Sequence, residues 1–280
     1  MRTPVALLAI PFLLAGTETI AENINPGNDG SKYAWAENLG WINAQPGGPG
    51  GPGVHVSASG LTGWMWSENA GWISLSCANT SCGPVAYGVT NDGCGTLAGY
   101  AWSENLGWIN FAPSTCGGDP TCGVRIGPTT GIFSGRAWSE NAGWVTYSSA
   151  GPNPYQMATS WRALAPAGAS VLTASMTGGV DTTLAWTALS GATEYDVVAG
   201  DLNALRNSGG DFQNATLGPV VCRTPGTTVI HSGTPNVGNG FWFLVRGRNC
   251  GGAGTYDSGG AAQVGLRDAE IAASGNDCSN

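Results

Sequence analysis

The sequence has little charge, almost no lysine and no long apolar segment after its first residues. Only 10% of the 280 residues are charged, Lys32 is the single lysine, and the formal net charge is −8. A chain with so few basic side chains is poorly matched to nucleic acid or to anionic lipid surfaces. No stretch approaches the roughly 18 consecutive apolar residues that are typical of a membrane-spanning helix. We therefore expect neither a nucleic-acid partner nor membrane insertion.

Histidine is equally scarce, since the chain contains only His55 and His231. Neither residue has a local hydrolase signature such as Gly-x-Ser-x-Gly, which would favour a Ser-His-Asp arrangement. The cysteines also lack the Cys-x-x-Cys spacing that is typical of zinc sites. We therefore expect no catalytic residues, no metal and no cofactor, and hence a protein that is not an enzyme.

Residues 1–21 are typical of an export signal that is removed from the mature chain. Met1-Arg2 is a short basic start, Pro4–Leu14 is an apolar run, and Ala21 is a small residue at the expected cleavage position. The chain contains eight cysteines, and an even number behind such a signal predicts disulfide bonds formed in an oxidising compartment. Together these features predict a secreted or cell-surface protein.

Glycine and tryptophan are abundant, and most of the tryptophans belong to one motif that occurs four times. The first tryptophans of the four copies are residues 35, 66, 102 and 138, which gives spacings of 31, 36 and 36 residues. A fixed period in this range is typical of repeated supersecondary units that pack against one another. The four copies are Tyr33–Ile42, Trp64–Ile73, Tyr100–Ile109 and Arg136–Val145.

Each complete repeat predicts three short strands, so residues 22–149 are expected to form an antiparallel all-β domain. The first copy lacks the Gly-Val opening strand of the others, which leaves about eleven strands in four hairpin repeats. The pattern alone is compatible with a propeller-like ring, a barrel or a stacked sandwich. A strand donated by a neighbouring molecule would fill the gap in the first copy. We therefore expect that the protein is able to self-associate.

The Ser-Glu-Asn-x-Gly core of each copy predicts a hairpin loop between two strands. In the third copy a four-residue loop, Glu104–Gly107, lets Gly107 adopt a positive φ without steric cost. Glu104 and Asn105 are expected to accept hydrogen bonds from nearby backbone N–H groups. The predicted structural-turn residues are Glu37, Asn38, Gly40, Glu68, Asn69, Gly71, Glu104, Asn105, Gly107, Glu140, Asn141 and Gly143.

The four recurring glutamates have two further interpretations. Carboxylates gathered on one rim bind a cation or another ligand, although each loop offers only one acid where calcium prefers several oxygens. Two carboxylates that flank a glycosidic bond are the requirement for sugar hydrolysis. The fourfold recurrence favours the turn, because a catalytic site usually occurs once in a chain.

The predicted register decides where the tryptophans lie. A four-residue loop in the third copy places Ser103 opposite Trp108 and Trp102 opposite Ile109, so that the two indoles lie on different faces of the sheet. Gly99 then leaves room for an indole to lie across the strand. This arrangement favours tryptophans that are packed in the core, with a carbohydrate-binding surface of exposed indoles as the alternative.

One position of the motif is the best candidate for contact with a ligand. Trp64 is replaced by Tyr33, Tyr100 and Arg136 in the other copies. A position that tolerates both arginine and tyrosine is expected to reach solvent. We therefore assign Trp64, Tyr33 and Tyr100 as candidate ligand-binding residues, with a polysaccharide or another surface protein as the expected partner.

The cysteine spacing predicts two small disulfide loops between repeats. Cys77 pairs with Cys82 and Cys116 with Cys122, because each pair lies after the third strand of one repeat and before the next. A third disulfide is expected to join Cys250 to Cys222 or Cys278. The pairing of the remaining cysteines, which include Cys94, is left open by the sequence.

The last part of the chain has no aromatic repeat. Residues 150–169 are rich in Pro, Gly and Ala and are predicted to form a linker;. In residues 170–280, three segments read as strands, namely Thr183–Thr187, Glu194–Ala199 and Phe241–Arg248. A short helical turn is predicted over 201–208.

This pattern of an early tryptophan, a tyrosine on the next strand and a long aromatic strand resembles a fibronectin type III β-sandwich. The segments Tyr195–Leu205, Asn249–Ser258 and Gly265–Glu270 resemble one group of such domains at the C-termini of secreted bacterial proteins. The repeat region is similar to secreted bacterial proteins that carry Trp-Ser-Glu-Asn-x-Gly-Trp motifs. These resemblances imply a spacer, adhesion or surface-attachment role and bring no catalytic residues.

The sequence therefore predicts a secreted, non-catalytic structural or adhesive protein of the cell surface or extracellular matrix. The alternative is a carbohydrate-binding protein that uses exposed tryptophans of the repeats. An extracellular hydrolase with carboxylates from the repeats is the weaker alternative.

Overall fold

β-strands far outweigh helices in the described chain, which confirms the predicted all-β class. The computed structural model describes residues 22–114, 119, 121–177, 181–261 and 263–278. The predicted export signal, residues 1–21, lies outside the described residues. Within the described ranges, no helix combines the length and the apolar character needed to cross a membrane.

The described part of the repeat region contains fourteen short strands and one 3₁₀ turn, Cys77–Thr80. The strands are β1 Tyr33–Ala36, β2 Gly40–Asn43, β3 His55–Val56, β4 Gly60–Thr62, β5 Trp64–Ser67, β6 Gly71–Ser74, β7 Val89–Asn91, β8 Leu97–Ser103, β9 Gly107–Asn110, β10 Gly123–Ile126, β11 Phe133–Ser139, β12 Gly143–Thr146, β13 Ser148–Ser149 and β14 Tyr155–Gln156.

Eight of these strands close into an antiparallel barrel made of the four motif hairpins. Hairpin 1 is β1–β2, hairpin 2 is β5–β6, hairpin 3 is β8–β9 and hairpin 4 is β11–β12. Each hairpin pairs with the next, through β2–β5, β6–β8 and β9–β11. The ring closes where β12 pairs with β1. Of the three closures compatible with the sequence, the chain therefore adopts the barrel.

The observed hairpin register differs by one residue from the predicted one. In hairpin 3, Ser103 pairs with Gly107, and Trp102 lies opposite Trp108. Ala101 lies opposite Ile109. Because side chains alternate along a strand, this one-residue shift moves both motif tryptophans to the same face. The prediction that indoles fill the core was wrong for this reason.

Mainly small and aliphatic side chains fill the barrel instead, with two aromatic rings, Phe111 and Tyr147, in one layer. The residues that alternate with the tryptophans are buried, as expected for an eight-stranded barrel whose interior is packed;. One buried layer consists of Ala34, Ile42, Met65, Ile73, Ala101, Ile109, Ala137 and Val145, and the next consists of Ala44, Leu75, Phe111 and Tyr147.

Three equivalent glycines bend the strands where they leave the barrel and pair with the opening strands. Gly63, Gly99 and Gly135 have φ values of 84°, 85° and 81°. A Cβ atom on Gly99 would lie 2.2 Å from the carbonyl oxygen of Gly88, so the position excludes any side chain. The expectation that Gly99 makes room for an indole was therefore wrong, since the space is taken by the neighbouring backbone.

The chain after hairpin 4 supplies the opening segment that the first copy lacks. In the other repeats Val54, Val89 and Val124 donate a backbone hydrogen bond to the residue just after the preceding third strand, and Met157 makes the same bond to Tyr147. Met157 also forms a β-bridge with Lys32 at the start of the first copy. The ring is thus completed within one molecule, and the gap that suggested a donated strand is filled.

This closure places part of the predicted linker inside the repeat domain. Met157 and Trp161 belong to the buried cluster that fills the barrel. Thr159 forms a β-bridge with Ile24, which ties the described start of the chain to the same segment. The sequence suggested a linker because the segment is rich in Pro and Gly, a composition that also suits short bent segments of a closed ring.

The disulfides agree with the prediction at one site and differ at another. Cys77 is bonded to Cys82 as predicted. Cys122 is disulfide-bonded, and its predicted partner Cys116 lies outside the described residues. The third predicted disulfide was wrong, because Cys250 is joined to a cysteine of the barrel region and neither of its expected partners.

The two remaining disulfides are Cys94–Cys250 and Cys222–Cys278. Cys250 lies in the turn after a long strand and meets Cys94 in the loop before β8. Cys222 instead meets Cys278, which follows α3 near the end of the described chain. Cys94–Cys250 therefore links the barrel covalently to the C-terminal region, a long-range contact that spacing along the chain does not reveal.

The C-terminal region is a two-sheet sandwich with three short helices in its described part. One sheet has the order β15-β16-β19 and the other has the order β18-β17-β20-β21. The elements are β15 Leu172–Thr177, β16 Asp181–Trp186, β17 Glu194–Asp201, α1 Leu202–Asn207, α2 Phe212–Ala215, β18 Thr216–Thr224, β19 Thr228–Ser232, β20 Phe241–Asn249, β21 Gly252–Ala253 and α3 Arg267–Ala273. The three strands predicted from the sequence and the helical turn after Asp201 are confirmed.

Aromatic residues lie inside this sandwich. Trp186 packs edge-to-face against Tyr195 with ring centroids 5.6 Å apart, and both are buried. The Tyr195 hydroxyl accepts a hydrogen bond from the Leu189 backbone N–H at 2.9 Å. A second buried cluster packs Phe212 against Trp242 beside the helices.

Candidate functional site

A belt of partly exposed aromatic side chains surrounds the barrel. In every hairpin the two motif tryptophans face each other edge-to-face across the strands, with ring centroids 4.6 to 5.0 Å apart. Trp41, Trp72 and Trp108 remain 49%, 46% and 43% exposed. An exposed apolar surface of this kind usually marks an interaction site. The belt follows directly from the register, because the interior positions are already filled by aliphatic side chains.

Two grooves interrupt the belt at the joints between hairpins. Groove A lies between hairpins 1 and 2, and groove B lies between hairpins 2 and 3. Their volumes are about 790 Å³ and 730 Å³, within the usual range for a small-ligand site. Residues that line groove A include Tyr33, Trp35, Trp41, Asn43, Trp66, Glu68, Asn69 and Tyr155. Residues that line groove B include Trp64, Trp66, Trp72, Ser74, Tyr87, Trp102, Glu104 and Asn105.

The two grooves repeat the same chemistry because they arise from equivalent positions of the motif. Each is lined by the second tryptophan of one hairpin, the first tryptophan of the next hairpin, and the Glu-Asn pair of that next loop. Trp66 lines both grooves. A ligand with a flat apolar face and polar edges would find both an aromatic platform and hydrogen-bonding groups in either groove.

Tyr155 and Tyr87 add a further ring to each groove. Tyr155 lines groove A and packs edge-to-face against Trp41, with ring centroids 5.1 Å apart. Tyr87 lines groove B and packs in the same way against Trp108 at 5.4 Å. Burial raises the pKa of the Tyr155 phenol above its ordinary value. The Tyr155 hydroxyl donates a hydrogen bond to the Thr146 carbonyl oxygen at 3.5 Å.

The asparagines of the loops connect neighbouring hairpins at one end of the barrel. Each side-chain amide donates to a loop carbonyl of the preceding hairpin, whereas the first loop makes the equivalent contact through its backbone N–H. These bonds run from Asn69 to Leu39 at 2.9 Å, from Asn105 to Ala70 at 3.0 Å, from Asn141 to Leu106 at 3.1 Å and from the Asn38 backbone to Ala142 at 3.3 Å. The asparagines therefore join the repeats as donors, where the sequence predicted acceptors within each turn.

The glycines and glutamates of the motif have different environments. Gly40, Gly71, Gly107 and Gly143 all have positive φ, between 70° and 76°. The glutamates Glu37, Glu68, Glu104 and Glu140 are exposed, and none of their side-chain carboxylates forms a hydrogen bond or ion pair within the described part of the chain. The expected role of the glutamates as acceptors for the turn backbone is not seen. Their carboxylates are available to a ligand instead.

Hairpin 4 differs from the other three because it carries its own cation. Arg136 takes the place of Trp64 and its guanidinium lies 4.7 Å from the ring centroid of Trp144. The same guanidinium forms an ion pair with Asp119. Hydrogen bonds from Thr121 lower the pKa of Asp119, and Arg136 lowers it further. The outer face of a motif tryptophan is thus a place where a cation is held.

The three ligand-binding candidates from the sequence all lie on the outer face of the barrel. Tyr33 lines groove A and Trp64 lines groove B. Tyr100 is 47% exposed and packs against Trp108, outside the residues that line the two grooves. The structure therefore brings Tyr33 and Trp64 to equivalent places in two separate grooves.

The sequence interpretation missed the motif tryptophans that form the main walls of the grooves. These are Trp35, Trp41, Trp66, Trp72 and Trp102. The available signal was the spacing within each hairpin, because a loop shorter by one residue would have put all of them on one face.

The described residues bring together no catalytic arrangement that the sequence considered. His55 lies on β3 of the repeat region, whereas His231 lies on β19 of the sandwich and contacts the rings of Phe241 and Phe243. Groove A is lined by one carboxylate and so is groove B, whereas glycosidase chemistry uses a pair of carboxylates;.

One group of potential metal ligands occurs in the described chain, and its members already have partners. It consists of Asp196, Cys222 and Cys278. The two cysteines are joined in a disulfide. Asp196 is buried and forms ion pairs with Arg246 and Arg248 at 3.0 and 2.8 Å. This cluster is therefore a structural ion-pair network beside a disulfide.

Comparison with known families and curated proteins identifies no relative of this chain. No model of a known protein family matches the chain, and no curated protein shows significant sequence similarity to it. The function must therefore be inferred from the barrel surface and its two grooves.

Proposed function

We propose that this protein is an extracellular, non-catalytic adhesive protein whose barrel binds polysaccharide in grooves A and B. The observation that carries the proposal is the repetition of one aromatic groove at two equivalent joints of the barrel. Each groove offers indole faces together with a Glu-Asn pair. A sugar ring presents an apolar face for stacking and hydroxyl groups for those polar side chains.

Several further features support this assignment. The indoles that form the grooves are held edge-to-face by their hairpin partners, so little side-chain entropy is lost when a ligand binds;. Two sites on one rigid barrel favour a repeating ligand, since a polymer bound in one groove raises its effective concentration at the other. The disulfides are compatible with an extracellular location;. In this proposal the C-terminal sandwich serves as a spacer or attachment module, as its resemblance to fibronectin type III domains implies.

The test is a binding measurement against a panel of soluble polysaccharides, by affinity electrophoresis and then by calorimetry. Trp66→Ala removes an aromatic wall from both grooves. We expect it to weaken binding about tenfold, because an aromatic contact that contributes up to about 1.5 kcal/mol is lost in both grooves.

Trp138→Ala is the matched control. Trp138 occupies the same motif position in hairpin 4, is 39% exposed, and lines neither groove. Its affinity for polysaccharide is expected to lie within about twofold of that of the unsubstituted protein. Both variants should keep an unchanged circular dichroism spectrum, which shows that they are folded. Absence of binding to every polysaccharide, or equal losses in the two variants, would contradict the proposal. Release of reducing sugar that depends on Glu104 would instead support the hydrolase.

A further inference from the structure

The electrostatic character of both grooves points to a positively charged ligand. Glu68 in groove A and Glu104 in groove B are exposed carboxylates without a cationic partner in the described chain. Neither lining includes a lysine or an arginine among the described residues. Aromatic faces and carboxylates both attract cations.

Basic side chains of the protein already bind to aromatic rings of the belt. In hairpin 4 the guanidinium of Arg136 lies over Trp144 and is paired with the carboxylate of Asp119. At the edge of groove A, the ammonium of Lys32 lies 5.7 Å from the ring centroid of Tyr33. In hairpin 2 the position of Arg136 is taken by Trp64, so the neighbouring groove B holds the aromatic faces and the carboxylate without the cation.

We propose that the polysaccharide selected by grooves A and B carries protonated amino groups, as a polymer of unacetylated hexosamine does. This inference rests on the proposed function and specifies its ligand class. A sugar ring stacks on an indole of the groove, and its ammonium group reaches Glu68 or Glu104. The net charge of −8 attracts such a polymer over a longer range;.

The spacing of the grooves fits one continuous chain. Groove A lies at the β2–β5 joint and groove B at the β6–β8 joint, so two strand spacings, roughly 10 Å in all, separate them;. Occupation of both grooves by one polymer makes the second contact intramolecular. Longer oligomers should therefore bind more tightly than short ones.

The experiment compares two soluble oligosaccharides of equal length and linkage, a glucosamine hexamer and an N-acetylglucosamine hexamer. Calorimetry is performed at a pH at which glutamate is ionised and the sugar amine is protonated. We expect the glucosamine hexamer to bind roughly tenfold more tightly, because an exposed ion pair contributes up to about fivefold in affinity and two such pairs are available. High salt should reduce this preference.

Glu68→Gln combined with Glu104→Gln keeps the shape of both grooves and removes their charge. We expect this variant to bind the two hexamers about equally, because only the glucosamine hexamer loses an ion pair. Glu140→Gln is the matched control, since Glu140 has the same loop position in hairpin 4 and lines neither groove. It should retain the full preference.

The outcomes separate the inference from the proposed function. Equal binding of both hexamers by the unsubstituted protein, with loss of both in Trp66→Ala, overturns the charge selection and leaves polysaccharide binding standing. If the variant with both Glu68→Gln and Glu104→Gln still prefers the glucosamine hexamer, the role assigned to these two carboxylates is overturned. Failure to bind any saccharide overturns both.

Discussion

The barrel and the sandwich use tryptophan in opposite ways. In the sandwich, Trp186 and Trp242 are 6% and 8% exposed and belong to buried clusters. In the barrel, Trp41 and Trp72 are 49% and 46% exposed, and the interior is filled mainly by alanine and aliphatic residues, together with Phe111 and Tyr147. Both regions are antiparallel β-structures of similar size. The placement of the indoles therefore depends on strand register and on which face is already filled.

This contrast indicates different sources of stability in the two regions. The sandwich depends on large aromatic rings in its core, whose burial removes much apolar area from water. The barrel depends on a closed ring of backbone hydrogen bonds, on tight glycine bends and on an interior of aliphatic side chains with Phe111 and Tyr147. The tryptophans of the barrel are consequently free to serve in recognition.

The strongest test of the contrast substitutes one tryptophan in each region. Trp186→Ala should lower the free energy of unfolding by about 3–5 kcal/mol, because it leaves a large cavity in the core. Trp72→Ala should lower it by less than about 1.5 kcal/mol, because the indole is half exposed and loses mainly its edge-to-face partner. Denaturation by urea measures both values. Similar losses in the two variants would show that the barrel also depends on its indoles for stability.

The second test concerns the backbone of the barrel. Gly99→Ala should cost about 3 kcal/mol of unfolding free energy, since φ is 85° and the new Cβ would clash with a carbonyl oxygen;. Gly107→Ala is the control, because its φ is 71° but the nearest atom to a Cβ is 3.9 Å away. This substitution should lower the free energy of unfolding by only about 1–2 kcal/mol, because alanine is strained in the left-handed conformation. Thermal melting of the two variants measures both losses of stability. Equal losses would show that steric exclusion at the bend is unimportant.

The third and smallest effect compares the two regions at alkaline pH. Burial raises the pKa of Tyr147 in the barrel and of Tyr256 in the sandwich. Unfolded tyrosine ionises near pH 10 while the folded residue stays neutral, so stability is present below about pH 10 and is lost as the pH rises above it. Each residue contributes a loss of about 1.4 kcal/mol per pH unit.

Substitution with phenylalanine assigns this loss to a region. Tyr147→Phe should remove about 1 kcal/mol of the stability loss between about pH 10 and about pH 11, because the unfolded phenol is only half ionised at the lower pH, and Tyr256→Phe should act similarly. Urea denaturation at the two pH values provides the measurement. An unchanged alkaline loss in Tyr147→Phe would mean that the barrel opens to ionise this phenol without unfolding.

Much of the candidate site was accessible to sequence reasoning, although its geometry was not. The repeat period identified the hairpins, and the variation at Trp64, Tyr33 and Tyr100 correctly identified a position on the outer surface. The grooves themselves require two hairpins side by side. No single copy of the motif contains both walls of a groove. The sequence therefore did not reveal that Trp72 and Trp102, from two different hairpins, line the same groove.

Local chemistry in the sequence determined the β-class, the four hairpins, the small Cys77–Cys82 loop and the helical turn after Asp201. These features depend on contacts between residues close in the chain. The tertiary structure decided which face of each hairpin is buried, because a shift of one residue in register exchanges the two faces. It also decided that the segment around Met157 closes the ring and that Cys94 meets Cys250. Such contacts depend on how distant segments pack in space, and the spacing of residues along the chain does not encode that packing directly.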